Sequence, residues 1–271
     1  MRYLRRHALP DKQQQLLADE QETFHQTPPN ERDVDRSWDN FRRRVGFKPI
    51  EVCLTQMNAI SAEQAEGCHF CMYCECNEGA QIDHFWPKAT FPAKVFEWDN
   101  LFLACDICNR GKSKTFPLQD GRPMLLNPVD SDPHPELPYD LPEGRYDDEQ
   151  ATPRGTITLK TFALNRDFLI QARKKEWKDV CRCLNALESA LSQHNVAEIE
   201  GDLMDLAYPP KLALLQELVY LGQSGGLMPT EALERQFFAL RKLLTPEGPD
   251  ALTLTSSGER LRKQLWQALH P

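Results

Sequence analysis

The sequence predicts an α+β protein that is predominantly α-helical, with a small cysteine-stapled centre set between an N-terminal helical region and a C-terminal helical domain. Three observations predict it. Two Cys-x-x-Cys pairs, Cys71/Cys74 and Cys105/Cys108, stand about thirty residues apart. Apolar stripes at helical spacing fill the chain from about residue 163 onward. Good helix formers with sparse apolar anchors fill the stretch before the first pair. The boundaries read as 1–65 (N-terminal helical region), 66–128 (centre), 129–162 (acidic, proline-rich connector with a short strand) and 163–271 (C-terminal helical domain).

Residues 11–25 predict a first helix, anchored by Leu16, Leu17 and Phe24 and ended by Pro28-Pro29. A second helix is expected over roughly 31–44, with Val34, Trp38 and Phe41 on one face. Its Arg42-Arg43-Arg44 end suits the negative pole of the helix dipole. A third helical run leads from Pro49 to Ala65. After the centre, Met124 to Pro128 predicts a short strand or turn. Residues 130–153 hold Pro133, Pro135, Pro138 and Pro142 and predict an irregular, solvated loop. Gly155 to Phe162 alternates apolar and polar residues and predicts a strand. Phe168, Ala172, Val180, Leu184, Leu187 and Leu191 predict the core face of the next helix. Pro209-Pro210 open another, with Leu212, Leu215, Leu218 and Val219 inward, and Gly225-Gly226 close it. Leu233, Phe237, Leu240 and Leu244 form a further stripe, and Ser256-x-x-Glu259 predicts a capping box for a last helix carrying Leu261, Leu265 and Leu269.

At 271 residues the chain is long enough for one large or two modest cores. No apolar run approaches a membrane span and none near Met1 resembles a secretion signal, so a cytoplasmic protein is expected. Nine cysteines in a chain of this size, four of them in Cys-x-x-Cys pairs, point to metal binding in a reducing compartment. The formal net charge of -8 argues against a protein that coats nucleic acid non-specifically. The charge is uneven: residues 130–150 carry -7, whereas residues 85–122 carry +2. The centre is therefore mildly basic within an acidic chain.

Two Cys-x-x-Cys turns suit one tetrahedral, structural zinc held by Cys71, Cys74, Cys105 and Cys108. Cys68 and Cys76 lie close enough to compete for the first pair's place. A four-sulfur zinc is coordinatively full, so catalysis must use other groups. Between the pairs stand Asp83 and His84, then Asn100, and directly after the second pair Asn109-Arg110-Gly111-Lys112. Neighbours on a strand face opposite sides, so Asp83 can hold a hard cation while His84 meets substrate. Histidine is suited to abstract a proton near neutral pH. Asn109 supplies an amide oxygen that can join Asp83 on Mg²⁺ or Mn²⁺, which prefer oxygen ligands. Arg110, Lys112 and Lys114 place cations where a phosphodiester would cross, and Lys88 is a further substrate-binding candidate.

The pattern Asp83-His84, Asn100 and Asn109-Arg-Gly-Lys between two Cys-x-x-Cys pairs resembles the HNH nucleases, whose centre is a ββα-metal unit. The run NRGKS from Asn109 is similar to the matching segment in the HNH domain of RNA-guided CRISPR nucleases. The resemblance implies His84 as general base, Asp83 and Asn109 as catalytic-metal ligands, Asn100 as support of the hairpin, and Lys112 facing the phosphate. Across residues 68–128, Cys-x-Tyr-Cys-Glu, Ile-Asp-His-Phe-x-Pro-Lys, Trp-x-Asn-Leu, Cys-x-x-Cys-Asn and Leu-Leu-Asn-Pro together look like the HNH subunit of the Septu anti-phage system and its retron-associated relatives. That implies one-metal phosphodiester hydrolysis, with DNA as the expected substrate, beside a separate ABC-type ATPase subunit. The chain has no Gly-x-x-x-x-Gly-Lys-Ser/Thr of its own, so ATP-driven control would have to come from that partner. The competing reading is a zinc ribbon that binds nucleic acid or protein without cutting. It accounts for the cysteines but not for the histidine, two asparagines and cationic run between and after them.

Overall fold

Helices make up most of the described chain, and one strand pair organises its centre. The computed structural model describes residues 1–28, 30–59, 69–76, 78–79, 81–112, 116–226, 228–245 and 252–270, apart from the Val45 side chain. Among the described residues three helices precede the centre: α1 (Asp11–Gln26), α2 (Val34–Arg42) and α3 (Lys48–Gln56). Asp33 caps α2 by accepting the Arg36 amide at 2.9 Å. Of the helical run expected from Pro49 to Ala65, the helix ends at Gln56 and residues 57–59 turn, while residues 60–65 lie outside the described residues.

Strands β1 (Gln81–His84) and β2 (Leu101–Ala104) pair antiparallel, with Asp83 opposite Phe102 and His84 opposite Leu101. Helix α4 (Asp106–Lys112) follows directly. The end of the centre forms one minimal strand pair, β3 (Leu118–Gln119) with β4 (Arg122–Pro123), and the connector forms another, β5 (Tyr139–Asp140) with β6 (Arg145–Tyr146). The connector is not merely a solvated loop, because Leu137, Leu141, Tyr146 and His134 are buried. Its prolines set turns that still deliver apolar side chains inward.

Residues 155–162 form a helix rather than the expected strand. Helix α5 (Pro153–Thr161) starts at an N-cap, where the Thr152 hydroxyl accepts the Gly155 amide and Pro153 occupies the first turn. Tertiary packing outweighs the alternating pattern. Thr158 is fully buried and its hydroxyl accepts the Leu126 amide at 2.9 Å. A Cβ on Gly155 would lie 1.9 Å from the Glu136 carbonyl oxygen, so only glycine lets α5 approach the connector. Gly111 plays the same part in α4, where a Cβ would sit 2.4 Å from the Thr161 carbonyl oxygen.

Among the described residues five further helices follow: α6 (Asp167–Ser192), α7 (Val196–Leu206), α8 (Pro209–Ser224), α9 (Glu231–Leu244) and α10 (Ser256–Leu269). Their leucine stripes form one apolar cluster, while the N-terminal helices, the hairpin and α5 share another. Two sequence expectations need correcting here. Phe168 is 65 % exposed, and its neighbour Leu169 is the buried residue. The last helix is capped by Thr255, whose hydroxyl accepts the Gly258 amide, while Glu259 receives the Leu254 amide. Gly225 ends α8 in the left-handed conformation, φ 71°. Among the described residues no helix is long and apolar enough to cross a membrane.

Candidate active site and metal-binding cysteines

The centre is held first by sulfur. Residues 71–76 form a turn in which the Cys71 amide donates to the Cys76 carbonyl at 2.9 Å, and the Met72 amide docks on the Leu103 carbonyl of β2 at 2.8 Å. Cys105 immediately precedes α4 and Cys108 lies in its first turn, so helix and hairpin deliver the second pair together. The sulfurs of Cys71, Cys74, Cys105 and Cys108 all lie within 4.8 Å of one another and all four residues are buried. Zn–S bonds of about 2.3 Å place tetrahedral sulfurs roughly 3.8 Å apart, and Cys74 Sγ stands 3.7 Å from Cys105 Sγ. The donor set fits zinc. Arg166 Nη2 lies 3.2 Å from Cys74 Sγ, a counter-charge for a thiolate-rich site. Cys76 stays outside this four-sulfur set although its sulfur is 3.4 Å from that of Cys74, and Cys68 lies outside the described residues.

The hairpin positions the remaining polar residues. Asn100 is 1 % exposed and closes the loop that separates β1 from β2. Its Oδ1 accepts the Trp86 amide at 2.7 Å, and its Nδ2 donates to the carbonyls of Trp86 and Lys94. His84 Nε2 lies 3.0 Å from the Val95 carbonyl oxygen in the same loop. A carbonyl only accepts, so Nε2 carries the proton and the lone pair sits on Nδ1. Burial lowers the His84 pKa to about 4, which keeps the imidazole neutral at pH 7. The Trp38 ring of α2 packs edge-to-face on this imidazole at 4.5 Å, and His84 is only 4 % exposed.

Asp83 points to the other side of β1. Tyr73 Oη donates to its Oδ2 at 2.7 Å, and Lys112 Nζ lies 3.1 Å from its Oδ1. Burial raises the Asp83 pKa, opposed by Lys112 and Tyr73. Gln81 and Asp83 are two apart on a strand and share a face, and Asn109 Nδ2 donates to Gln81 Oε1. Asp83 and Asn109 thus belong to one side of the hairpin and offer the oxygen chemistry a hard cation prefers. Both are engaged by protein partners.

Lys112 corrects the expectation that it faces a phosphate. It is 1 % exposed, and its ammonium donates to the carbonyls of His84 at 2.6 Å and Phe85 at 3.2 Å as well as pairing with Asp83. Its helix is close enough to the hairpin that the side chain reaches inward. Arg110 is exposed and paired with Asp106, one turn earlier on α4. Lys88 pairs with Asp35 of α2. Lys114 lies outside the described residues. Tyr73 and Trp38 are the residues that sequence reasoning missed at the site. Tyr73 stands inside the first Cys pair and stacks on Phe162 at 4.2 Å, a contact no local pattern announces.

Residues 71–115 match the family model described as HNH endonuclease. This segment is an HNH endonuclease domain. Its strand–strand–helix order, with His84 ending β1 and Asn109 on α4, is the order the resemblance implies. A stretch of the chain is also similar to the Septu protein PtuB of Bacillus mycoides (strain KBAB4), 28% identical over an alignment of 141 residues that covers 41% of this chain and 48% of that protein. The Septu protein PtuB of Bacillus thuringiensis is 36% identical over 64 residues, 22% of this chain and 24% of that protein. The matched stretches therefore cover about half the length of the first relative and about a quarter of the second.

Proposed function

We propose that the chain is a metal-dependent endonuclease that hydrolyses DNA phosphodiester bonds, acting as the effector of an anti-phage defence system beside an ATPase subunit. The observation that carries this reading is the fixed tautomer of His84. With Nε2–H anchored on the Val95 carbonyl, Nδ1 is the basic atom and its direction is set by the hairpin. His84 takes a proton from the attacking water, and Asn100 keeps the loop that carries Val95 and Trp86 in register. Asp83 and Asn109 would hold a Mg²⁺ or Mn²⁺ ion, which when bound supplies charge stabilisation to the departing oxygen. The four cysteines would hold a structural zinc that makes the hairpin and α4 one rigid unit.

The buried state of His84 bears on the partner. A base 4 % exposed beneath Trp38 meets no phosphodiester until α2 yields. The net charge of -8 also disfavours unaided binding to DNA. Both features fit an enzyme whose substrate is presented by another subunit.

The test is plasmid nicking by wild type and His84→Ala with Mg²⁺, Mn²⁺ or EDTA, with and without a co-expressed ATPase. Cutting that requires both the divalent ion and His84, with equal melting temperatures for the two proteins, is the expected result. Binding that is indifferent to added Mg²⁺ and never accompanied by cutting would replace this reading with a zinc-ribbon binding module.

A further inference from the structure

We propose that Cys76 is an oxidation site for peroxide, and that the disulfide it then forms with Cys74 opens the zinc site. The inference rests on the zinc reading of the four cysteines and not on the nuclease reading. Cys76 is a fifth sulfur beside a set of four. Its Sγ stands 3.4 Å from Cys74 Sγ, yet the sulfurs that all lie within 4.8 Å of one another are those of Cys71, Cys74, Cys105 and Cys108. A tetrahedral zinc takes four sulfurs, so the Cys76 thiol is left for other chemistry. The backbone builds the contact between the two cysteines. Glu75, which separates them, has φ 67°, in the left-handed region that non-glycine residues rarely enter. The Glu75 amide donates to the Cys71 carbonyl at 2.8 Å, and the Cys71 amide donates to the Cys76 carbonyl at 2.9 Å. These bonds hold a strained backbone conformation whose effect is to bring the two sulfurs together.

Access separates Cys76 from the other four. It is half-buried, whereas Cys71, Cys74, Cys105 and Cys108 are buried. It lines a cavity of about 190 Å³ that Phe168, 65 % exposed, also lines, which places the mouth of the cavity at the surface. Peroxide is scarcely larger than water, whose share of liquid volume is about 30 Å³, so it fits. In the first step the Cys76 sulfur attacks one peroxide oxygen. The O–O bond breaks, an S–O bond forms, and the thiol proton leaves with the departing hydroxide as water. In the second step the Cys74 thiolate attacks the Cys76 sulfur. The S–S bond forms, the S–O bond breaks, and the released hydroxide takes a proton from solvent. The two sulfurs lose the two electrons that the peroxide gains. Cys74 needs no movement to resolve the oxidised thiol, because the sulfurs already stand near contact distance. Spending Cys74 on the disulfide leaves three sulfurs for the ion and weakens the tie between the turn at 71–76 and α4.

The test treats the zinc-loaded full chain with hydrogen peroxide, follows zinc release with a chromogenic chelator and maps disulfides by peptide mass spectrometry. Wild type should release zinc and show the Cys74–Cys76 bond, and dithiothreitol with added zinc should reverse both. Cys76→Ser should hold as much zinc as wild type before oxidation and release it at least about tenfold more slowly. Cys53→Ser, which removes another half-buried thiol, should behave as wild type. Equal release from wild type and Cys76→Ser would overturn the assignment. So would a disulfide within Cys71/Cys74 or Cys105/Cys108 in place of Cys74–Cys76. A Cys76→Ser chain that purifies without zinc would make Cys76 a ligand and also refute it. Wild type that purifies without zinc yet forms the Cys74–Cys76 bond would remove the zinc reading, and with it the opening of the site, while upholding Cys76 as the oxidation site.

Discussion

Replacing Lys112 by Met should unfold the centre rather than weaken its hold on substrate. The ammonium is 1 % exposed and has three oxygen partners: Asp83 Oδ1 at 3.1 Å, the His84 carbonyl at 2.6 Å and the Phe85 carbonyl at 3.2 Å. Methionine keeps most of the volume, so the loss is electrostatic and hydrogen-bonding. Removing one partner of a buried ion pair costs about 3–5 kcal/mol, because the other charge is left unpaired. Asp83 would retain the Tyr73 hydroxyl at 2.7 Å, which offsets part of that. A loss of about 4 kcal/mol is expected, a large share of the roughly 5–15 kcal/mol that stabilises a typical domain. Asp83→Asn in the Lys112→Met background removes the stranded charge and should recover about 2 kcal/mol. Urea denaturation of the four zinc-loaded proteins, compared at equal m, measures the cycle. A loss below about 1 kcal/mol, accompanied by weaker nucleic-acid binding, would show that Lys112 faces solution and the burial argument is wrong.

Two further outcomes follow from the cysteine cluster and from buried Glu217. Cys105→Ser, or chelation of the wild type, should abolish cooperative unfolding and release about one zinc per chain, read by elemental analysis and thermal melts; a metal-free chain that melts unchanged would rule out a structural ion. At Glu217, burial raises the carboxyl pKa from 4.5 to about 7, with His134 opposing. The folded chain then binds a proton between those values that the unfolded chain has released. The contribution is present below 4.5 and is lost as pH rises through about 7. Wild-type stability should fall by roughly 3 kcal/mol across that window relative to Glu217→Gln, and parallel slopes for the two proteins would refute it.

The parts of this fold that were legible in the sequence are those fixed by local spacing. Cys-x-x-Cys turns, a Pro-Pro helix start and leucines at helical intervals dictate short-range geometry, and the cysteine cluster and helices α8 and α9 follow from them. The misreadings arise where distant segments decide. Gly155 to Phe162 alternates like a strand, yet a Thr152 cap and the close approach to Glu136 make it a helix. Thr152-Pro153 was the signal available, and it outranks a weak period. Phe168 fits the stripe by spacing, but the register of α6 buries Leu169 instead. Lys112 looks like any cation in a basic run. Only the packing of α4 on β1 turns it inward, and no composition or spacing reveals that.

The polar constellation of the centre divides into groups that hold and groups left for chemistry. Asn100 spends its side-chain amide on the backbone of Trp86 and Lys94, and Lys112 spends its ammonium on the carbonyls of His84 and Phe85. Both therefore act by satisfying backbone groups at the end of β1 and in the loop that follows it, as buried backbone requires. The same loop presents the Val95 carbonyl to His84, so the orientation of the imidazole depends on residues that need never touch substrate. Beyond these stand the Nδ1 lone pair of His84 on one face of β1 and, on the other side, the Asp83 carboxylate held by Tyr73 and Lys112 and the Asn109 amide held by Gln81. Because the strand alternates, the base and the acidic oxygen cannot neutralise each other directly. Lys112 bridges the two faces instead, bonded to the backbone of the first and the carboxylate of the second. A change that draws Lys112 off Asp83 should therefore be felt at the His84 carbonyl, which would couple the proposed metal-ligand side of the hairpin to the side of the proposed base.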